Sequence, residues 1–168
     1  MSAATEPAIE PVQPVVAYPD TGPLVLFTHL ARTTLFLESL QQECLAPFGL
    51  SFGDYMVIRV LRYAGAPHRL SPSRIGELVL RTSGGMTKII DRLERAGLVE
   101  RLPDPNDRRG VLVGLTRKGL RVSDAASDAY RDGRERIIAR LTPDEVSAID
   151  GALRRLLDVF ELDRKGVA

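Results

Sequence analysis

The sequence predicts a mainly α-helical protein that carries one small β-hairpin. Apolar residues recur at helical spacing along most of the chain, and serine or threonine precedes several of the predicted helices. A turn rich in proline and aspartate separates two short apolar runs, as in a hairpin. Because 168 residues can bury a sizeable core without cross-links, the length excludes disulfide-rich and zinc-dependent mini-domains.

Residues 1–20 differ in composition from the rest of the chain. Four prolines stand among small residues there, and neither a helical nor a strand period is sustained. We therefore expect a disordered or extended N-terminal arm. No apolar run in the chain exceeds four residues, whereas a membrane span needs roughly 20. With no secretory signal pattern and a single cysteine, these features indicate a cytoplasmic protein.

Two helices are predicted before the basic part of the chain. The first runs from Pro23 to about Pro47, and its apolar residues occupy more than one side, which indicates burial on more than one side. The second begins after Ser51, whose spacing from Asp54 is that of a capping pattern, and ends at Gly65. Its apolar positions are Phe52, Tyr55, Met56, Val60 and Leu61.

A short helix and a longer one follow, separated by a tight turn. Ser71 and Pro72 start the short helix, which ends near Leu80. Its apolar face consists of Ile75, Leu78 and Val79. Thr82 is the predicted N-cap of the longer helix, and Gly97 is its stop signal. The longer helix directs Met86, Ile90 and Leu93 inward and Ser83, Thr87, Lys88 and Asp91 to the opposite side.

Gly84 and Gly85 allow two interpretations. Glycine is a poor helix former, but a glycine pair in a first helical turn lets backbone amides approach a phosphate closely. The alternative is that both glycines form a loop and the helix starts later.

The hairpin and two further helices complete the chain. The predicted strands are Leu98–Leu102 and Gly110–Leu115. Thr116 caps a polar helix that extends to residue 140, with the thin apolar set Val122, Ala125, Ala129, Ile137 and Leu141. Thr142 and Pro143 start the last helix. Its apolar positions are Val146, Ile149, Leu153, Leu156, Leu157 and Phe160.

The order of elements between residues 71 and 116 is that of a winged helix-turn-helix, in which the hairpin is the wing. The second helix of such a unit can enter a DNA major groove with its N-terminal side chains leading. Ser83, Thr87 and Lys88 are exposed there, and their hydroxyl and ammonium groups can reach base edges or phosphates. Residues 71–120 hold ten bases and six acids, a net charge of +4. This excess indicates an anionic partner, and the alternative is a solvated charged face.

The predicted wing tip, Asp104–Gly110, carries the adjacent arginines Arg108 and Arg109. Guanidinium groups suit a DNA minor groove, whose negative potential attracts them. Asp107, two residues before Arg109, can pair with that arginine and fix its direction. The alternative for the tip alone is a solvated charged turn.

Two runs within residues 70–119 carry a specific pattern. They are Asp91–Arg101, which reads Asp-Arg-Leu-Glu-Arg-Ala-Gly-Leu-Val-Glu-Arg, and Pro105–Val113, which reads Pro-Asn-Asp-Arg-Arg-Gly-Val-Leu-Val. The pattern closes on Leu115, Thr116 and Gly119. In order and spacing it resembles the MarR (multiple antibiotic resistance regulator) family. The flanking helices, 21–65 and 117–162, are similar to the helical dimerisation lobe of that family in number and length.

The resemblance implies a homodimeric DNA-binding transcriptional regulator, usually a repressor, with duplex DNA as its partner. It implies that residues 51–116 form the DNA-binding lobe and that residues 21–50 and 117–168 form the dimerisation lobe. In the wing, it implies a minor-groove role for Arg109, an orienting role for Asp107 and a phosphate contact for Arg108. The implied base- and phosphate-reading residues of the recognition helix are Thr82, Ser83, Thr87 and Lys88.

Members of this family commonly bind small aromatic or anionic effectors between the two lobes. The polar candidates on the matching elements are His29, Arg32, Tyr55 and Arg59, and the alternative for each is an ordinary surface or satisfied residue. The urate-responsive subgroup uses a tryptophan that this chain lacks, so urate is set aside. The peroxide-sensing subgroup has its cysteine early in the first long helix. Cys44 lies at the end of that helix, and its alternative is a small buried apolar residue.

Two other classes of function fit the sequence less well. A phosphate-binding enzyme is disfavoured because the glycine pair before Lys88 lacks the spacing of a phosphate loop and no catalytic set is apparent. A winged-helix adaptor that binds only protein would leave Lys88, Arg108 and Arg109 without a phosphate to contact. His29, Cys44 and His68 have no metal-ligand spacing, so we expect neither a metal nor another cofactor.

Overall fold

The computed structural model describes residue 22, residues 25–79 and residues 83–164, with the backbone alone at residue 83. Among these residues the fold is mainly α-helical with one small sheet, as the sequence predicts. The helices are α1 Val25–Leu45, α2 Phe52–Tyr63, α3 Pro72–Leu78, α4 Ser83–Arg95, α5 Arg117–Ile138 and α6 Pro143–Arg164, with a 3₁₀ turn at Ala46–Phe48. The strands are β1 Arg69–Leu70, β2 Val99–Asp104 and β3 Asp107–Leu115.

Among the described residues, the chain divides into two units, the first ending at Leu37 and the second beginning at Glu38. The first unit contains the N-terminal part of α1, whose described side chains are exposed or half-buried. The second unit contains the remainder of α1 and all later elements. The predicted arm, residues 1–20, lies outside the described residues.

The N-termini of three helices follow the predicted capping chemistry. The Ser51 hydroxyl accepts from the Asp54 backbone N–H, and the Asp54 carboxylate accepts from the Ser51 N–H at 2.9 Å, which completes a capping box for α2. Ser71 caps α3, followed by Pro72, and Thr116 caps α5. Each cap satisfies a backbone donor that helix geometry would leave unpaired.

The hydrophobic core lies in the second unit, where α2 packs against α3, α4, α5 and β3. Tyr55 and Leu61 are buried in α2 as predicted. Val57 and Ile58 are also fully buried, although the sequence reading assigned neither to the apolar face. Other elements surround α2 on several sides and leave it little exposed surface. A pattern that assumes one buried face therefore identifies too few of its buried residues.

The sheet has the strand order β1-β3-β2, with both pairings antiparallel. The predicted wing is the β2–β3 hairpin, and it is longer than predicted because β3 begins at Asp107 and the turn contains only residues 105–106. β1 was not predicted. Its two residues, Arg69 and Leu70, pair with Gly114 and Val113, and a strand that short has no readable period.

The buried face of α5 differs from the predicted face. Ala125 and Ile137 are exposed, not buried. Two of the buried positions are glycines at close contacts: a Cβ on Gly119 would overlap the Leu98 carbonyl oxygen, and one on Gly133 would lie 2.5 Å from Cys44 Sγ. Because small residues make this face, a pattern based on large apolar side chains misses it. The buried residues of α5 are Gly119, Ser123, Ala126, Tyr130 and Gly133.

The last helix, α6, has no buried residue in the single chain. Its apolar side chains Ile149, Leu153, Leu157 and Phe160 are 48%, 43%, 59% and 46% exposed. In the described ranges, no single helix is long and apolar enough to cross a membrane. Val25–Phe48 and Phe52–Tyr63 reach that length and apolar composition only when taken together, and they are bent by 71° relative to each other.

Candidate nucleic-acid interface

Helix α4 presents one apolar face and one exposed polar face. Met86, Ile90 and Leu93 are at most 2% exposed and pack into the core as predicted. Thr87 and Lys88 are exposed. Ser83 is the first residue of the helix, and Thr82, its predicted N-cap, lies outside the described residues.

The glycine pair belongs to α4, so the alternative that Gly84 and Gly85 form a loop is wrong. Gly84 is exposed, and a Cβ built there would meet no atom within 4 Å. The backbone of the first turn is therefore accessible to a close-fitting partner, as the phosphate-approach interpretation requires.

Arg92 fixes α4 to α2 through a buried carboxylate. Its Nε and Nη2 donate to Asp54 Oδ1 at 3.0 and 2.6 Å, and the Asp54 side chain is 3% exposed. The same carboxylate accepts from the Ser51 hydroxyl at 2.7 Å. One buried acid thus caps α2 and holds the recognition helix. The sequence reading identified the cap but not the arginine that shares it.

Arg101 fixes α4 to the wing. Its Nη2 donates to Asp91 Oδ1 at 2.5 Å, and its Nη1 donates to the Glu94 carboxylate. Asp91 is therefore paired, although the sequence reading placed it only on the polar face of the helix. The bond to Asp91 raises the pKa of the Arg101 guanidinium, partial burial opposes this, and the nearby Glu94 charge raises it further.

The end of α4 is held by the start of α5. The Thr116 hydroxyl donates to the Gly97 carbonyl at 2.7 Å while it accepts from the Gly119 N–H at 3.0 Å. Lys118 Nζ donates to the Ala96 carbonyl at 2.8 Å. Carbonyls after the last helical turn are thereby satisfied by side chains from the next helix.

The wing tip is shaped by two aspartates. Asp104 Oδ1 accepts from the Asn106 N–H, and Asp107 Oδ1 accepts from the Arg109 N–H, both at 2.9 Å. A Cβ on Gly110 would lie 2.9 Å from Asp104 Cβ, so a larger residue would strain the turn. The tip therefore has a defined local structure, unlike a simple solvated loop.

The two wing arginines project from this turn. Arg108 and Arg109 are exposed, and neither forms an ion pair within the part of the chain that the structure describes. Asp107 contacts Arg109 through the backbone, as given above. Its predicted action on the direction of the Arg109 side chain stays a prediction.

Comparison with known proteins identifies this arrangement. A sequence model described as MarR family matches residues 48–110. The multiple antibiotic resistance protein MarR of Escherichia coli is 31% identical over 121 residues, which are 71% of this chain and 82% of that protein. The chain belongs to the MarR family. The resemblance noted in the sequence is thus confirmed, and transcription regulation is its class of function.

Solved structures of MarR-family proteins share the fold. A cysteine-to-serine mutant of E. coli MarR, complexed with operator DNA, gives a TM-score of 0.68 at 30% identity, covering 80% of this chain and 94% of that one. AbsC, a MarR-family regulator from Streptomyces coelicolor, gives 0.72 at 27% identity, covering 86% and 97%. The predicted winged helix-turn-helix is therefore confirmed.

The four candidate effector residues of this MarR-family chain fall in two groups. His29 and Arg32 are exposed on the part of α1 that belongs to the first unit. Tyr55 and Arg59 belong to the second unit, where Arg59 Nη1 donates to the Tyr55 hydroxyl at 2.5 Å. Tyr55 is 1% exposed, and its ring packs edge-on against Tyr130, 5.6 Å between centroids. Tyr55 is thus a core residue whose hydroxyl is satisfied.

Cys44 is half-buried beside α5. It lines a groove of about 590 Å³ together with Glu43, Asp132 and Arg136. Burial and the neighbouring Glu43 raise the pKa of the Cys44 thiol, Arg136 opposes this, and Asp132 raises it further. A thiol held in its neutral form is a poor nucleophile. Within residues 25–79 and 83–164, no group of three or more side chains is arranged to hold a metal.

Proposed function

We propose that this MarR-family protein is a homodimer that binds duplex DNA in a sequence-specific manner and represses transcription. The observation that carries the proposal is an exposed polar face on α4 together with two exposed wing-tip arginines that form no ion pair with any residue the structure describes. The likeness to E. coli MarR in complex with operator DNA supports it.

Helix α4 would read the major groove. Lys88 and Thr87 are exposed near its N-terminus, where lysine can donate to guanine acceptors and hydroxyls can contact bases or phosphates. We assign Thr82 and Ser83 to the same DNA-reading set on the family resemblance alone. The buried opposite face fixes the helix in the domain, so binding requires little rearrangement of α4.

The wing would contact the minor groove. Arg109 is the proposed minor-groove residue, Arg108 a phosphate contact and Asp107 the residue that orients Arg109. Both arginines are exposed, so they are accessible to a narrow groove, whose negative potential attracts guanidinium groups.

Dimerisation would use the helical termini. Phe27, Leu35 and Phe36 on α1 are 52%, 65% and 71% exposed, and the apolar residues of α6 are exposed as well. Large exposed apolar surface marks an interaction site. We accordingly assign residues 51–116 to a DNA-binding lobe and residues 21–50 with 117–168 to a dimerisation lobe, preceded by the arm at residues 1–20.

An effector would relieve repression. A small aromatic or anionic molecule is the proposed ligand, with His29, Arg32 and Arg59 as proposed contacts. Tyr55, which is buried in the core, would act only by holding Arg59. Arg59 supports this assignment because its guanidinium lies over the rings of Tyr55 and Tyr63, at 5.6 and 4.8 Å from their centroids. A cation beside aromatic faces suits an aromatic carboxylate.

Selection of bound sites from random duplexes tests the proposal. A two-fold dimer predicts a near-palindrome with half-sites about 10 base pairs apart, and aromatic carboxylic acids should release the selected duplex. An asymmetric half-site bound by one chain would contradict the dimer. Failure to bind any duplex over a range of salt concentrations would contradict DNA recognition and favour a protein-binding adaptor.

A further inference from the structure

Arg101 joins the wing to the recognition helix through three hydrogen bonds. The guanidinium donates to Asp91 at 2.5 Å and to Glu94, and the Arg101 backbone N–H donates to Glu94 Oε1 at 3.3 Å. Asp91 and Glu94 are three residues apart on α4, so they lie on neighbouring turns of one face. One strand residue is therefore bonded to two positions on the helix.

Arg101 lies far enough from the wing tip that a small rotation at its contact with α4 displaces the tip by a larger distance. Arg101 pairs with Val113, and Arg109 lies four residues from Val113 toward the tip. At about 3.3 Å per residue, Arg109 is roughly 13 Å along the strand from the position paired with Arg101. A rotation of about 10° there would move Arg109 by about 2 Å, a third of the roughly 6 Å width of a minor groove.

We propose that Arg101 is a positioning residue that fixes the angle between wing and α4, so that both elements engage their grooves together. The inference rests on the proposed DNA binding. Once α4 is bound, the wing contact forms within the same complex and adds to the affinity. That added affinity is lost if the angle between wing and α4 prevents both elements from binding together. Arg101 and its partners are 33–47% exposed, and ion pairs of that exposure contribute little to stability. Its loss should therefore leave the fold intact.

A double-mutant cycle on affinity for a selected duplex tests the inference. In the otherwise unchanged chain, Arg109→Ala is expected to weaken binding by at least about tenfold, because the dimer loses one groove contact in each half-site. In the Arg101→Met background, the same change should weaken binding less than about threefold, because the wing no longer engages. Arg101→Met alone should weaken binding by about as much as Arg109→Ala alone.

A second variant separates positioning from charge. Arg101→Met leaves Asp91 and Glu94 unpaired near DNA phosphates, and their repulsion alone would weaken binding. The double change Asp91→Asn with Glu94→Gln weakens the same contact between Arg101 and α4, and it leaves no unpaired carboxylate behind. Positioning predicts that Arg109→Ala again loses most of its effect in this background, whereas simple repulsion predicts that it keeps its full effect.

Arg62→Met provides the matched control. Arg62 forms an ion pair with Asp124 between α2 and α5 at 2.8 Å, with similar exposure. In this background, Arg109→Ala should retain its full effect. Additive effects of Arg101→Met and Arg109→Ala, in a protein that binds the duplex and is folded by circular dichroism, would overturn the inference. Absence of duplex binding by the unchanged chain would instead overturn the proposed function.

Discussion

At Gly119, the first turn of α5 meets the backbone that follows the recognition helix. A Cβ there would overlap the Leu98 carbonyl oxygen. Gly119→Ala should therefore destabilise the protein by about 1–3 kcal/mol through backbone displacement, measured by urea unfolding. Gly151→Ala on α6 is the control, since a Cβ there meets nothing within 4 Å. The control should be neutral or stabilising by up to about 1 kcal/mol. Equal behaviour of both variants would contradict the packing at Gly119.

Cys44 provides a second test at the residue scale. Because burial and Glu43 raise the pKa of its thiol, little thiolate is present at neutral pH. Alkylation of the folded protein should be slow at pH 7, and its rate should still rise with pH above the ordinary thiol pKa of about 8.5, where the rate for an unperturbed thiol levels off. The urea-unfolded chain is the reference. Equally fast alkylation of the folded and unfolded chains at pH 7 would contradict this assignment and reopen a redox role.

At the scale of elements, capping residues made the helices predictable. Ser51, Ser71 and Thr116 each cap a helix as expected, because capping depends on chemistry within one turn of the chain. β1 and the buried face of α5 were missed because both depend on tertiary neighbours. A two-residue strand exists only by pairing with β3, and the glycines of α5 are buried because other elements approach them closely.

The candidate site divides along the same line. The exposed faces of α4 and the wing follow from helical and strand periods, so the exposure of Thr87, Lys88 and Arg109 could be predicted from sequence. Their contacts with DNA stay predictions. The partners of Arg92 and Arg101 could not be predicted, since Asp54 is 38 residues from Arg92 in the chain and no local pattern connects them. The charged residues of the family motif thus prove to hold α4 in place.

Arg92 should matter for stability more than its exposure suggests. Arg92→Met leaves the buried Asp54 carboxylate without its guanidinium, although Ser51 still donates to it. Loss of a charged hydrogen-bond partner from a buried acid costs about 1–3 kcal/mol. Arg154→Met, which breaks an exposed pair with Asp150 on α6, should change stability by less than about 0.5 kcal/mol. Thermal unfolding of the two variants measures this difference. Equal shifts in Tm would contradict a stabilising role for the bond between Arg92 and Asp54.

At the scale of the whole molecule, the apolar termini should control assembly. Leu153 on α6 is 43% exposed in the single chain, so Leu153→Asp buries no charge in the monomer but places one in the proposed interface. Loss of the dimer is expected, because an unpaired charge in an apolar interface costs several kcal/mol. Sedimentation should show a monomer, whereas Ser147→Asp, also on exposed α6, should remain dimeric. A stable Leu153→Asp dimer would place the interface elsewhere.

The central claim is that wing and recognition helix bind one duplex in different grooves. The most direct measurement is the salt dependence of affinity for Arg109→Ala and Lys88→Ala on specific and unrelated duplexes. Arg109→Ala should weaken both complexes and reduce the log–log salt slope by about two units, since the bound dimer loses one cation from each of its two wings. Lys88→Ala should alter the preference among half-sites by about 1–3 kcal/mol. An unchanged affinity and salt slope for Arg109→Ala would show that the wing does not touch DNA and would contradict the account.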